Sequence, residues 1–345
     1  MARGARLQLV AGMLSVWWVK WRKGLGAGVA ALAFLALGHA SAAQDQVTIA
    51  GSTTLSIGST ETGRAMRLFI WTPEGAPPQG GYPVLYAFDG ETSFGMLTDL
   101  ARDLNAAGQR AGFDPVMIVA MAYPESDRSV ESRVYDMTPA ADHYDMPTRP
   151  NGKPWPPLGG GDAFLAMIEK EIKPAIESRF PVDPARQTLF GHSLGGLMVL
   201  HRMVTKPEAF VCYYASSPSL WFNGRSMIRD VERFLAERPS EAKPLTLQLS
   251  VGTAEQTLTD WDRLATNDPS RRKAWLEGNA MLSNARDLAA RIGNRTTGSM
   301  RFDYREWAGR DHLSARAAAS AAAIRMAIEC EAGPVKPPQP KEDAE

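Results

Sequence analysis

The stretch Thr188-Leu189-Phe190-Gly191-His192-Ser193-Leu194-Gly195-Gly196 reads as an apolar strand running into a glycine-flanked serine and then into a helical segment that reaches Thr205. A nucleophilic serine needs that order of strand, tight turn and helix. The glycines permit close backbone approach, the hydroxyl projects above the sheet edge, and the first amides of the helix face the point where negative charge develops. The plain alternative, a turn that only reverses the chain, weighs less once strand, helix and Gly196 all stand in place.

Outward from this turn, short apolar runs alternate with longer amphipathic ones. The runs Met66–Trp71, Pro83–Phe88, Pro115–Met121, Gln187–Phe190, Val211–Ala215, Leu245–Val251 and Met300–Trp307 predict strands. Several are almost continuously apolar, as in strands covered on both faces. Helices are expected from Asp162, as cap, through Ile176, and over Ser193–Thr205, Ser226–Glu237, Ala274–Ile292 and Ser314–Glu329. The alternation predicts an α/β fold with a mainly parallel central sheet and helices on both faces. No internal repeat or linker divides the body. The long irregular stretch from Tyr123 to Gly161 is Pro-rich, and loops of that length in a compact domain tend to carry function.

A serine hydroxyl is a weak nucleophile and needs a base. The chain holds five histidines. His39 lies in the N-terminal apolar segment, His192 and His201 are too close to Ser193 in sequence to fold back on it, and His143 sits in the irregular stretch. His312, in Gly309-Arg310-Asp311-His312, falls between the last strand and the last helix and is the expected base. A carboxylate should follow the preceding strand, to fix the imidazole tautomer and stabilise its charged form. Glu255 is the first choice there, with Asp260 and Asp262 behind it. The oxyanion would be held by the backbone N–H of Leu194 and by a second amide after Phe88-Asp89-Gly90, that of Glu91.

Six blocks carry a family resemblance: Tyr82-Pro-Val-Leu-Tyr-Ala-Phe-Asp-Gly90, Arg133-Val-Tyr-Asp-Met-Thr-Pro139, Gly159-Gly-Gly-Asp-Ala-Phe164, Gly191-His-Ser-Leu-Gly-Gly196, Ala215-Ser-Ser-Pro-Ser-Leu-Trp221 and Gly309-Arg-Asp-His312. In this order they resemble the putative esterase family of α/β-hydrolases. Within it the chain is most similar, over about residues 47–330, to the branch that hydrolyses catecholate siderophores such as enterobactin and bacillibactin. The resemblance implies the α/β-hydrolase fold, a Ser193–His312 centre, Glu91 and Leu194 at the oxyanion hole, and ester hydrolysis without metal or organic cofactor.

An anionic, aromatic substrate of that kind asks for cations among apolar walls. Arg133 and Trp221 are the first candidates, with Arg149, Lys153, Arg225 and Arg310 also in reach of the argument; Trp221 and Phe222 read equally well as core. Arg133 has a second reading, a brace for its loop through Asp136 or another carboxylate. Two other functions stay open on the residues alone: a general carboxylesterase for small acyl or aryl esters, and a non-catalytic binder that keeps the fold.

The chain has 345 residues, of which 38 are basic and 38 acidic. Five basic residues and no acid precede Gln44, so the remainder carries 33 basic against 38 acidic residues. A mildly acidic body argues against nucleic acid as partner, since phosphate contacts need a basic face, and favours a small molecule. Lys20–Lys23, the apolar run Leu25–Leu37 and the small residues up to Ala43 read as a signal peptide over 1–43. The mature chain is then periplasmic or secreted, without stable membrane insertion. Residues 44–332 would form the catalytic domain, and the Pro-rich residues 333–345 a disordered tail. Cys212 and Cys330 would form one disulfide in an oxidising compartment or stay as two buried thiols.

Overall fold

The computed structural model describes residues 47–295 and 299–330. Its strands are β1 (Ser52–Gly58), β2 (Ala65–Trp71), β3 (Tyr82–Ala87), β4 (Met117–Ala122), β5 (Val182–His192), β6 (Cys212–Ser216), β7 (Leu245–Gly252) and β8 (Met300–Trp307). They form one sheet in the order β1-β2-β4-β3-β5-β6-β7-β8. β1 and β2 run antiparallel to their neighbours, and all pairs from β4 to β8 are parallel. The helices are α1 (Gly90–Arg110), α2 (Val130–Asp136), α3 (Gly161–Met167), α4 (Lys173–Glu177), α5 (Leu194–Thr205), α6 (Phe222–Glu237), α7 (Asp260–Ala265), α8 (Pro269–Asn279), α9 (Met281–Gly293) and α10 (His312–Glu329).

The continuous apolar runs are explained by burial on both sides. In β3, Val84 and Tyr86 belong to one core cluster, while Leu85 and Ala87 belong to the other. Successive side chains of a strand point to opposite faces, so each run must satisfy two cores at once. The first core packs beneath α3 to α6 and α9, through Phe164, Ile172, Leu197, Met227 and Leu288. The second lies beneath α1 and α10, through Leu97, Ala101, Ala319 and Ala323.

The seven expected strands are present, with shifts of a few residues at their ends, and three expectations need correction. Ala274–Ile292 is two helices: Ala280 takes a left-handed conformation, φ 47°, and divides α8 from α9. Asp162 does not cap α3, whose cap is Gly160; its carboxylate bonds His201 Nε2 at 2.7 Å. The irregular stretch contains one short α-helix, α2, and a 3-10 turn over Glu125–Asp127. Neither β1 nor α1 is expected from the sequence pattern.

Cys212 and Cys330 are joined in a disulfide, which excludes the two buried thiols and ties the end of α10 to the start of β6. Among the described residues no helix is long and apolar enough to cross a membrane. The expected signal segment 1–43 and the tail 333–345 lie outside the described residues.

Candidate active site

Parallel strands in register end together, so the loops that leave their C-terminal ends gather on one edge of the sheet. Ala87 is paired with Phe190, His192 with Ser216, Ser216 with Ser250 and Gly252 with Trp307. Asp89 and Glu91, Ser193, Ser217, Glu255 and His312 therefore emerge side by side, although they span more than two hundred positions of the chain.

Ser193 stands between β5 and α5 with φ 62° and ψ −119°, a left-handed backbone that a serine adopts only when its surroundings impose it. The imposition is visible. The Ser193 amide donates to Ser216 O at 3.0 Å, and the Ser193 carbonyl accepts from Leu197 and Ser219. A Cβ on Gly191 would lie 2.3 Å from the Gly195 carbonyl carbon and oxygen. Only a hydrogen at 191 lets the start of α5 close on the end of β5, and that closeness turns the serine outward.

Glu255 is 2% exposed, and both of its oxygens are engaged. Oε1 accepts from Ser217 Oγ at 2.5 Å and from the Gly252 amide at 2.7 Å. Oε2 faces His312 Nδ1 at 2.6 Å. A buried carboxylate is tolerable when its lone pairs are filled in this way. His312 opens α10 just after Asp311, whose side chain and that of Ser314 form a reciprocal capping box. The cap fixes the backbone, the carboxylate fixes the ring, and the other ring nitrogen is left for chemistry. Asp260 and Asp262, the two reserve carboxylates, sit on α7, where Asp262 completes the capping box with Thr259 and pairs with Arg272.

His192 supports the same ring from behind. It is 7% exposed, its Nδ1 lies 2.9 Å from Ser216 Oγ, and its ring centroid is 4.5 Å from that of His312. Burial first, and the positive charge of His312, Arg316 and Arg133 next, hold its pKa well below the ordinary value. His192 is thus a neutral wall against His312.

Leu194 and Glu91 occupy the first turns of α5 and α1, where amides have no intrahelical acceptor. The two helix starts are neighbours, since Phe88 packs against Gly191 and Gly195. The Glu91 side chain turns back to accept from the Tyr123 amide at the end of β4. Arg133 is engaged by Asp89, to which Nη2 donates at 2.8 Å and Nε donates as well. Arg133 is not among the residues that line the cavity at Ser193, and its two contacts to Asp89 match the second reading, a brace. The carboxylate it holds is Asp89, the cap of α1 with φ 57°, whereas Asp136 bonds Arg64 and Tyr123.

A cavity of about 170 Å³ opens at this edge, lined by Ser193, Ser219, Trp221, Glu255, Arg272, Trp275, Leu276, Asn279, Met281 and His312. Trp221 is part of this wall, whereas Phe222 is buried in the core. Six lining residues escape sequence reasoning: Ser219, whose Oγ is 3.4 Å from Ser193 Oγ, Arg272, Trp275, Leu276, Asn279 and Met281. Trp155, Trp221 and Trp275 form a cluster with ring centroids 5.6 to 6.4 Å apart, and the Arg149 guanidinium lies 5.4 Å from the Trp155 ring. Arg225 is paired with Asp287. Among the described residues no three His, Cys, Asp or Glu are grouped so as to hold a metal ion.

Comparison with known proteins gives the family. The family described as "Putative esterase" matches residues 59–315. The ferri-bacillibactin esterase BesA of Bacillus subtilis (strain 168) is 32% identical over 281 residues, covering 81% of this chain and 91% of that protein. The siderophore enterobactin esterase of Emericella nidulans is 34% identical over 253 residues, 71% of this chain and 81% of that one. The crystal structure of the BES protein from Bacillus cereus superposes with a TM-score of 0.71 at 30% identity, covering 83% of this chain and 99% of its own.

Proposed function

The chain belongs to the putative esterase family and is a serine esterase of the α/β-hydrolase fold; from that premise we propose that it hydrolyses the ester backbone of a catecholate siderophore. The observation that carries the reading is the 2.6 Å contact between Glu255 and His312 Nδ1, on a histidine that shares one cavity with Ser193.

In the proposed cycle His312 Nε2 takes the proton of Ser193 Oγ as that oxygen attacks the ester carbonyl carbon. The carbonyl π electrons move to oxygen, and the Leu194 and Glu91 amides hold the resulting anion. Collapse breaks the carbon–oxygen bond of the ester, and His312 gives its proton to the leaving alkoxide. Water then attacks the acyl-serine with His312 again as base, releasing the acid and restoring Ser193. Glu255 stabilises the imidazolium in both halves.

The substrate class draws support from the relatives, named for ferri-bacillibactin and enterobactin, and from the tryptophan wall beside Arg149 and Arg272. Flat indoles and guanidinium groups suit an anionic aromatic ligand. Export belongs to the same reading. A disulfide persists in oxidising compartments, and residues 1–43 have the basic, apolar and small-residue order of a signal peptide. A mature N-terminus near Gln44 in the periplasmic or culture fraction tests that part.

The main test compares the wild-type protein and Ser193→Ala on a chromogenic short-chain ester and on enterobactin with and without iron. The expected result is Ser193-dependent cleavage of the siderophore. Turnover of the short ester alone would make the protein a general carboxylesterase, and no Ser193-dependent turnover of any ester would make it a binder.

A further inference from the structure

A second cavity, of about 300 Å³, lies on the other side of His312. Glu255, Arg272, Leu276 and His312 line both cavities, so the two share a wall that includes the histidine. The remaining lining is half apolar, with Ala254, Trp261, Ala265 and Leu313, and half polar, with Thr257, Thr266 and the carboxylates Asp262 and Asp311, each already engaged as part of a helix cap. Trp261 is 71% and Leu313 66% exposed, and Leu264, on the same short helix as Trp261, is 85% exposed. Single exposed apolar residues are ordinary on a protein surface. Large ones gathered round the mouth of a cavity that adjoins a reaction centre mark a place where apolar surface is to be covered. The carrier of Trp261 fits that use, because α7 buries no residue of its own.

Arg272 stands in the partition. Its Nε donates to Asp262 Oδ1 at 2.9 Å, and Asp262 Oδ2 accepts from the amide and hydroxyl of Thr259, the cap of α7. Within the described residues Arg272 donates side-chain hydrogen bonds from Nε alone, which leaves its terminal nitrogens without a protein acceptor on a residue that lines both cavities.

We propose that the second cavity is a subsite for a second aromatic arm of the substrate, and that Arg272 reads an anionic oxygen between the two arms. The ligand class is an ester with at least two aromatic arms and negative charge, straddling the Ser193–His312 pair with one arm on Trp221 and Trp275 and the other between Trp261 and Leu313. This rests on the esterase reading above and specifies how its substrate is held.

The test compares two probes, a one-armed dihydroxybenzoyl-serine methyl ester and the two-armed ester made from two such units. For each protein the readout is the ratio of kcat/KM for the two-armed over the one-armed probe. Trp261→Ala with Leu313→Ala removes the apolar rim, and Ala265→Trp fills the cavity; all three positions are exposed, so folding is not at stake. The ratio is expected to fall about tenfold in both proteins. An unchanged ratio in either one overturns the subsite. Arg272→Met is expected to abolish the preference for the two-armed catechol over its fully methylated analogue, and a preference kept at the wild-type level overturns the role of Arg272. If these changes occur while intact enterobactin is not cleaved, the siderophore assignment falls and the two-armed subsite stands.

Discussion

Glu255 and His312 meet across a boundary of exposure: the carboxylate is wholly buried, and the imidazole it holds at 2.6 Å keeps about a third of its surface open. One side of the ring is therefore governed by the protein and the other by whatever enters the cavity.

Replacing Glu255 by Gln keeps the volume but removes the charge that stabilises the imidazolium. The expected loss in kcat is about 10²- to 10⁴-fold, with KM changed far less. Glu255→Ala should also lower stability by about 1–3 kcal/mol, since Ser217 Oγ and the Gly252 amide lose their buried acceptor. Steady-state kinetics and chemical denaturation check the two parts, and an activity within about threefold of wild type in Glu255→Gln would show that Ser193 and His312 act without an acid.

Arg133 acts at one remove, by holding Asp89 at the start of the helix whose second residue is Glu91. Arg133→Met should reduce kcat about tenfold and leave KM near its wild-type value, because a misplaced oxyanion donor is felt in the transition state. Arg133→Lys, which keeps the charge but cannot form the two-pronged contact, should fall between. A rise in KM alone would return Arg133 to direct substrate binding.

His192 makes stability depend on pH in a window of its own. Its folded pKa lies well below the unfolded value of 6.5, so the unfolded chain takes up the proton first. The neutral ring's contribution is complete above pH 6.5 and declines as the pH falls from there toward the folded pKa, by up to about 1.4 kcal/mol per pH unit. Asp162, Asp262 and Asp311 are held below the ordinary carboxylate range by their hydrogen-bond partners. Their contributions are complete above the unfolded value of 3.8 and are lost as the pH falls from there through their folded values. Thermal melts should therefore weaken between about pH 6.5 and 5 in the wild type, and His192→Asn should flatten that segment without touching the acid limb.

The disulfide closes a loop of 118 residues, and cross-links over loops that long stabilise by about 2–5 kcal/mol. Reduction, or Cys330→Ser, should lower Tm by several degrees. Calorimetry with and without reductant measures it, and an unchanged Tm would mean that packing around Cys212 and Cys330 already fixes the end of α10.

Much of this architecture could be read from residue order, and the misses have physical causes. The interior strands announce themselves because burial on both faces forbids polar residues. β1, Ser-Thr-Thr-Leu-Ser-Ile-Gly at the sheet edge, is mostly exposed and looks like loop. α1 escapes notice because its sequence mixes three glycines with scattered buried positions such as Ser93, Thr98 and Asn105. The division at Ala280 is invisible in principle, since alanine is the best helix former and only tertiary contact turns it left-handed. At the site, Ser193, Glu255 and His312 are legible because each comes after a recognisable strand. Arg272 and Trp275 carry no motif: they reach the cavity through the packing of α8, which no local pattern encodes.

The bond between Cys212 and Cys330 has a temporal side. Its second sulfur lies beyond the helix that opens with His312, so a growing or threading chain cannot close this clasp until nearly all of its ordered body has emerged. The clasp thus secures the helix that opens with His312, and full robustness arrives only once that helix is in place.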